Sequence, residues 1–333
     1  MVRIVLGEPG LTLGRSGDRF VIRRGGNIVA CYPASEVEEI VIARAGILVT
    51  GAALRLAVER GIDIVILSRR GLPIGLLHHV GLSGFVLIRR EQLRAYDDER
   101  GVELAKTFIK GKLHGMTYVL LRIGKASKQY NEVVKIYIDR IKPYIIELNE
   151  VKGSHIDSVR SRLLFIEAEA TKHYWNCIKE IIPGFPGRVH RGARDYHNMC
   201  LNYGYSILYG EVLRAILRAG LDPLAGYIHV DRWGRPSLVF DVVEEFRHPI
   251  VDLPLFKMFI KEPEVELKEA VLPWSIRKKI IELVNKRLET QVKPPWRKTK
   301  PITLRKSILE YCRLIAKYIT GMEKEIKPFT LKP

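Results

Sequence analysis

Cysteine is scarce in this chain: Cys31, Cys177, Cys200 and Cys312 are far apart and form no Cys-x-x-Cys pair. That spacing argues against a cysteine zinc site and against a dense disulfide framework, and a reducing compartment follows as the expectation. Long apolar runs are missing too. The most apolar stretch, Ile40 to Leu67, is interrupted by Arg44, Arg55, Glu59 and Asp63, so no segment reads as a membrane span. Met1-Val2-Arg3 leads straight into alternating sequence, which gives no signal-peptide pattern, and a cytoplasmic location is expected. Internal repeats and low-complexity tracts are absent. Acidic residues are the last shortage: 37 Asp and Glu face 55 Lys and Arg, a formal net charge of +18 at pH 7. A protein this basic usually meets a polyanion, most often nucleic acid. A thermophile surface is the other explanation, but such surfaces balance Lys with Glu.

What is present is enough to build a core. Hydrophobic residues make up 47% of the chain and charged residues 28%, a composition of folded rather than disordered protein. The spacing predicts an α+β fold: a β-rich domain with one inserted helix, followed by a larger all-α domain. Val2 to Leu6, Arg19 to Arg23, Asn27 to Ala30 and Val37 to Ile42 read as strands, with a hairpin at Gly25-Gly26. Thr50 to Arg60 has helical spacing, is closed by Gly61, and leads into a β-branched run, Ile62 to Leu67. Near residue 89 the period becomes helical and stays so. Helices are expected over Glu91 to Arg122, Asn131 to Leu148, Ser154 to Ile182, Asp195 to Ala219, Asp241 to Phe246, Pro273 to Thr290 and Thr303 to Gly321. Ser154-His155-Ile156-Asp157 reads as a capping box. Pro249, Pro254, Pro263 and Pro273 read as breaks. The expected domains are 1–80, a linker over 81–90 around Gly81-Leu82-Ser83-Gly84, and 91–333.

Three positions could carry chemistry. Glu167 flanks the apolar face Leu163, Ile166, Ala170, Tyr174, Cys177 of its helix, and a carboxylate there must be paired, protonated or bound to metal. Taken alone, such a residue is more often a salt-bridged helix carboxylate. His229 follows Gly220-Leu221-Asp222-Pro223-Leu224-Ala225-Gly226-Tyr227-Ile228, and a lone His is more often a structural hydrogen-bonder than a ligand. Asp241 and Glu244, three apart, share one helical face and repel unless a cation or proton lies between them. Carboxylates with one His suit Mg²⁺ or Mn²⁺ rather than zinc, although a charged first helical turn would also account for Asp241. Two basic clusters lie between helices. One holds Arg188, Arg191 and Arg194; the other holds Arg297 and Lys298 beside Trp296, which could stack on a base or simply cap the core.

Three blocks together resemble the CRISPR-associated integrase-nuclease family, the larger of the two core spacer-acquisition proteins. They are Glu167-Ala168-Glu169-Ala170-Thr171-Lys172-His173-Tyr174-Trp175; Gly220-Leu221-Asp222-Pro223 through Gly226-Tyr227-Ile228-His229; and Gly234-Arg235-Pro236-Ser237-Leu238 through Asp241-Val242-Val243-Glu244-Glu245-Phe246-Arg247. Val49 to Leu56 and Arg60 to Gly71 are similar to the family's β domain. Ala168 and Thr171 depart from the family's Gly and Ala, and Tyr196 stands where it often has Pro. The resemblance implies that Glu167, His229 and Glu244 are the catalytic metal ligands for Mg²⁺ or Mn²⁺. It implies that a prespacer 3′-hydroxyl attacks a phosphodiester of the CRISPR repeat. A homodimer through the β domain, double-stranded DNA and a small companion protein are the implied partners. Arg235 and Arg247 are then candidate phosphate contacts. Glu244, not Asp241, is the family's ligand; Asp241, read as the start of its helix, is expected to cap backbone N–H groups, support the site from behind, and tolerate Asn. A hydrolytic nuclease acting in DNA repair and a non-catalytic nucleic-acid scaffold are the competing functions.

Overall fold

The computed structural model describes residues 2–68, 73–77, 85–190, 192–262, 264–265, 267, 271–298 and 300–332. The chain divides into two compact units, Met1–Ser83 and Gly84–Pro333. The first is β-rich with one helix and the second helical, so the α+β class holds. Of the expected linker over 81–90, Gly81-Leu82-Ser83-Gly84 lies outside the described residues, as does Arg191, and residues 85–90 are helical, not a linker, because they begin the helix Phe85–Arg94.

In the first unit the strands are β1 (Val2–Leu6), β2 (Leu11–Ser16), β3 (Arg19–Arg24), β4 (Asn27–Pro33), β5 (Val37–Ile42), β6 (Leu48–Val49), β7 (Asp63–Leu67) and β8 (Pro73–Leu77), with helix α1 at Gly51–Glu59. They form two sheets, ordered β1-β5-β7-β8 and β4-β3-β2-β6. β1, β5 and β7 run parallel, and β8 returns antiparallel. β3 and β4 are joined at Gly25-Gly26, whose φ values of 55° and 85° are those of a tight hairpin turn. α1 starts where the Thr50 side chain accepts from the Ala53 N–H at 3.2 Å and stops before Gly61, φ 63°. Ile4, Leu6, Leu13, Phe20, Ile40, Leu56 and Ile64 fill the core. Sequence spacing missed β2, whose Gly14 and flanking glycines read as punctuation, and also β6 and β8. The edge strand β4 exposes Ile28 (62%) and Val29 (55%), where the pairing with β3 shifts register at a bulge.

The second unit contains α2 (Phe85–Arg94), α3 (Glu99–Ala126), α4 (Lys128–Glu150), α5 (Ile156–Ile181), α6 (Tyr196–Arg218), α7 (Ser237–Arg247), α8 (Leu253–Lys261), α9 (Trp274–Leu288) and α10 (Leu304–Ile319), with a two-residue ladder of β9 (Gln291–Val292) and β10 (Ile302–Thr303). The expected helix from Glu91 to Arg122 is two helices. Asp98 is extended, its carboxylate accepts from the Arg100 N–H at 2.8 Å, and a new helix begins there. The expected capping box at Ser154 does not form. α5 starts after His155 with no side-chain cap, while Ser154 Oγ bonds His155 Nδ1 and Ser158 Oγ donates to the His155 carbonyl. Pro249 and Pro254 do not break the chain. Pro249 lies in a π-helical turn, His248–Asp252, and Pro254 in the first turn of α8, where its missing N–H costs nothing.

α3 is buried along nearly its whole length and packs against α4, α5 and α7. Two glycines let α7 come close. A Cβ at Gly111 would stand 2.5 Å from the Glu245 carboxyl carbon, and one at Gly115 would stand 3.3 Å from Pro249 Cδ. The next residue after Gly111 is Lys112, and this close approach sets its side chain among the carboxylates of α5 and α7.

Candidate active site

Glu167 on α5 and Glu244 on α7 meet at one cation, the ammonium of Lys112 on α3. Lys112 Nζ pairs with Glu167 Oε1 and lies 2.8 Å from Glu244 Oε2. Glu244 Oε2 is buried, and its partner there is the Lys112 ammonium. Its other oxygen, Oε1, is 2.7 Å from Arg247 Nη2. Burial alone would raise the Glu244 carboxyl, but Arg247 and Lys112 outweigh it and hold the group far below the usual carboxylate range. Lys112 is likewise kept charged: burial works against the ammonium, and Glu167 and Glu244 overcome it.

His229 is set by Asp241. The Asp241 carboxylate, fully buried on α7, accepts four hydrogen bonds from one loop. Oδ2 takes the N–H groups of Tyr227 at 2.6 Å and Ile228 at 3.1 Å. Oδ1 takes the N–H of His229 at 3.0 Å and stands 2.6 Å from His229 Nδ1. A carboxylate can only accept, so Nδ1 carries a proton, and in the neutral imidazole the lone pair is on Nε2. Gly226 makes the wrap possible, because a Cβ there would lie 2.9 Å from Asp241 Oδ2. Helix α7 begins at Ser237, four residues before Asp241, and Asp241 does not cap its own helix. It gathers N–H groups of a different segment. The role as support behind His229 fits this geometry; the reason given from sequence does not.

The structure brings Glu167 and Glu244 together but does not gather all three expected ligands. Among the described residues no three His, Cys, Asp or Glu side chains stand close enough to hold a metal ion. The donor chemistry fits Mg²⁺ or Mn²⁺ all the same: hard carboxylate oxygens converge on a single cationic point, and an imidazole nitrogen is left free by its bracing.

The expected DNA contacts divide. Arg247 is turned inward to Glu244, donates to Tyr209 Oη at 3.1 Å, and lies 4.7 Å over the Tyr205 ring. Arg188 donates to Asn198 Oδ1 at 2.9 Å and Asn202 Oδ1 at 2.6 Å, over the rings of Trp175 and Tyr205. Arg297 pairs with Glu310 and Trp296 stacks on Tyr311 at 5.2 Å, so this tryptophan closes the core. These three arginines are structural partners here. Arg194 and Lys298 are exposed, and Arg235 is half-buried over Phe240. Between Arg232 and Arg235, in a turn closed by a 2.9 Å backbone bond, Trp233 projects wholly into solvent at 104% exposure.

Sequence reasoning missed Lys112 and Glu245. Lys112 had a signal: Ala105, Phe108, Ile109 and Met116, at core spacing around it, are apolar and buried, and Lys112 interrupts that stripe. Glu245 is fully buried and accepts from the Tyr311 hydroxyl and, at 2.5 Å, from the Phe329 N–H. Burial pushes its carboxyl well above the usual range, and its two bonds hold α7 from behind.

A β-rich unit ahead of a helical unit in which two carboxylates meet at a buried lysine defines the class, and sequence comparison gives the family. The family model described as "CRISPR associated protein Cas1" matches residues 4–286, and the chain belongs to that family. It is 37% identical over 288 residues to "CRISPR-associated endonuclease Cas1 1" of Archaeoglobus fulgidus, covering 81% of this chain and 83% of that one. Its fold matches a casposase bound to integration product with a TM-score of 0.77 at 22% identity, over 98% of this chain and 93% of the other. It matches a chain of a Cas6-RT-Cas1–Cas2 complex with a TM-score of 0.72 at 17% identity, over 99% of this chain and 36% of the other. No helix among the described residues is long and apolar enough to cross a membrane.

Proposed function

We propose that the chain is a metal-dependent DNA integrase and endonuclease that inserts spacers into a CRISPR array. The observation that carries this is the convergence of Glu167 and Glu244 on one buried cation, with His229 braced by Asp241 on the same helix as Glu244. In the proposed reaction a DNA 3′-hydroxyl attacks a phosphodiester of the repeat. A new P–O bond forms, and the old bond breaks to release the 3′-oxygen of the cut strand. Glu167, Glu244 and His229 Nε2 would hold the Mg²⁺ or Mn²⁺ ion, which supplies Lewis acidity at the phosphoryl oxygen and steadies the leaving oxygen. The protein's part is positioning. Arg247 fixes Glu244, Asp241 fixes the His229 tautomer, and no covalent protein nucleophile is required. The nearby tyrosines are not candidates for that role: Tyr174 and Tyr205 donate to Asp252 at 2.7 and 2.6 Å, and burial pushes both hydroxyls well above their usual range.

DNA is the substrate that the +18 charge favours. Arg194, Arg235 and Lys298 supply cations, and Trp233 offers a flat face to an unstacked base. The match to a chain from a Cas1–Cas2 complex supports assembly with a small companion of that kind. The test is the product formed from a 3′-hydroxyl duplex and a repeat-bearing plasmid in Mn²⁺. Covalently joined strands are expected. Shortened fragments alone would mean that water replaces the 3′-hydroxyl and that the enzyme is a nuclease only.

The same reading includes a homodimer through the β-rich unit. An edge strand with adjacent exposed apolar side chains invites a covering partner, and β4 has them in Ile28 and Val29. Light scattering should find the full-length protein dimeric and the Ile28→Glu/Val29→Lys variant largely monomeric. A variant that remains as dimeric as the wild type would place the interface elsewhere.

A further inference from the structure

Lys112 has no part in the proposed reaction, yet its ammonium is the best-paired cation of the site. It is buried in the middle of α3, which Gly111 draws close to α7 and Gly115 to the π-helical turn that follows it. It touches a carboxylate from α5 and another from α7, joining three helices at one point. Four charges make up this cluster: Glu167 and Glu244 are negative, Lys112 and Arg247 positive, so the set is neutral without any ion. Like-charged carboxylates this near one another repel, and here the ammonium between them removes the repulsion. A divalent ion bound by the same two carboxylates meets an ammonium already in contact with both. The two cations need the same oxygens and repel each other in a poorly hydrated interior, where charge interactions are strong.

We infer that Lys112 is a resident counter-cation of the metal site. It holds Glu167 and Glu244 together when no ion is bound, and it must give up contacts to them when an ion enters. Metal binding is therefore an exchange of one cation for another. The inference rests on the reading of Glu167 and Glu244 as metal ligands. It explains how two acidic side chains from different helices stay ordered without metal. It also makes metal affinity lower than the same carboxylates would give unopposed. Arg247 differs, because it sits on Oε1 of Glu244 alone and does not bridge the pair.

The experiment is isothermal titration of MnCl₂ into the full-length protein and its variants, together with melting temperatures with and without Mn²⁺. Lys112→Met should bind Mn²⁺ at least about tenfold tighter than the wild type, since one buried positive charge beside the ion is gone. Its metal-free melting temperature should fall, and Mn²⁺ should raise it by more than in the wild type. Lys112→Gln, which keeps amide donors for the carboxylates, should behave the same way and carries the test if the methionine variant does not fold. Lys112→Arg, which keeps the charge, should bind no tighter than the wild type. Equal or weaker Mn²⁺ binding by folded Lys112→Met or Lys112→Gln overturns the exchange. A separate outcome tests the underlying site: if Glu167→Gln and Glu244→Gln both leave Mn²⁺ affinity unchanged, these carboxylates are not ligands, and the inference falls with them.

Discussion

His229→Ala is expected to reduce strand joining by roughly 100-fold or more while DNA affinity changes by less than about threefold. The imidazole is the one proposed ligand outside the buried ion-pair cluster. Its side chain is 28% exposed, and its removal leaves three backbone N–H groups on Asp241. The loop should therefore keep its course, and the loss of stability should stay within about 1 kcal/mol. DNA binding draws on many phosphate contacts across a basic surface, none of which needs this ring. Joining rates, anisotropy with labelled duplex and a melting curve measure the three quantities on one preparation. Equal loss of joining and binding in folded protein would make His229 a structural residue. Undiminished joining would remove it from the site.

Asp241→Asn should be almost as damaging to joining and far more damaging to the fold. Four donors converge on the two Asp241 oxygens. An amide has only one acceptor oxygen, so its NH₂ must face N–H groups that need an acceptor. Leaving buried donors unsatisfied costs about 1–3 kcal/mol, and more when the lost partner is a charge. A drop of about 3 kcal/mol and a loss of joining of roughly 10- to 100-fold are expected, the latter because the His229 tautomer is no longer fixed. Denaturant midpoints and joining rates check the pair. An Asn variant of wild-type stability and near-normal joining would show that the four-donor cradle does not hold His229.

That expectation reverses the one drawn from sequence, and the reason is instructive. Ser237-Leu238-Val239-Phe240 read as a short apolar run ahead of a helix opening at Asp241. All four residues are the first turn of α7, and Asp241 lies one turn inside. The sequence showed which residue types cluster near His229, but not that a loop wraps a carboxylate twelve residues downstream. The β-to-helical change near residue 89, most helices and the Gly25-Gly26 hairpin were legible because they depend on local periodicity and turn chemistry. Glu167 was legible as a carboxylate beside an apolar face, and Glu244 as one of two carboxylates three apart on one helical face. Their meeting point was not, because Lys112 lies 55 residues from Glu167 in the chain. The inward turn of Arg188 and Arg247 was hidden for the same reason: a basic residue looks alike in sequence whether it meets a phosphate or a buried acid. Prolines 249 and 254 misled in the opposite direction, since a π turn and a helix first turn accept what a helix interior does not.

The central claim is that Glu167, Glu244 and His229 together form one divalent-metal site. Crystals of the full-length protein soaked in MnCl₂ and measured at the manganese absorption edge test it most directly. The predicted result is an anomalous peak bounded by one carboxylate oxygen each of Glu167 and Glu244 and by His229 Nε2, with the Lys112 ammonium moved off the carboxylate pair. A manganese peak at other residues, or no peak beside Glu167 and Glu244 at a concentration that supports strand joining, would contradict the account.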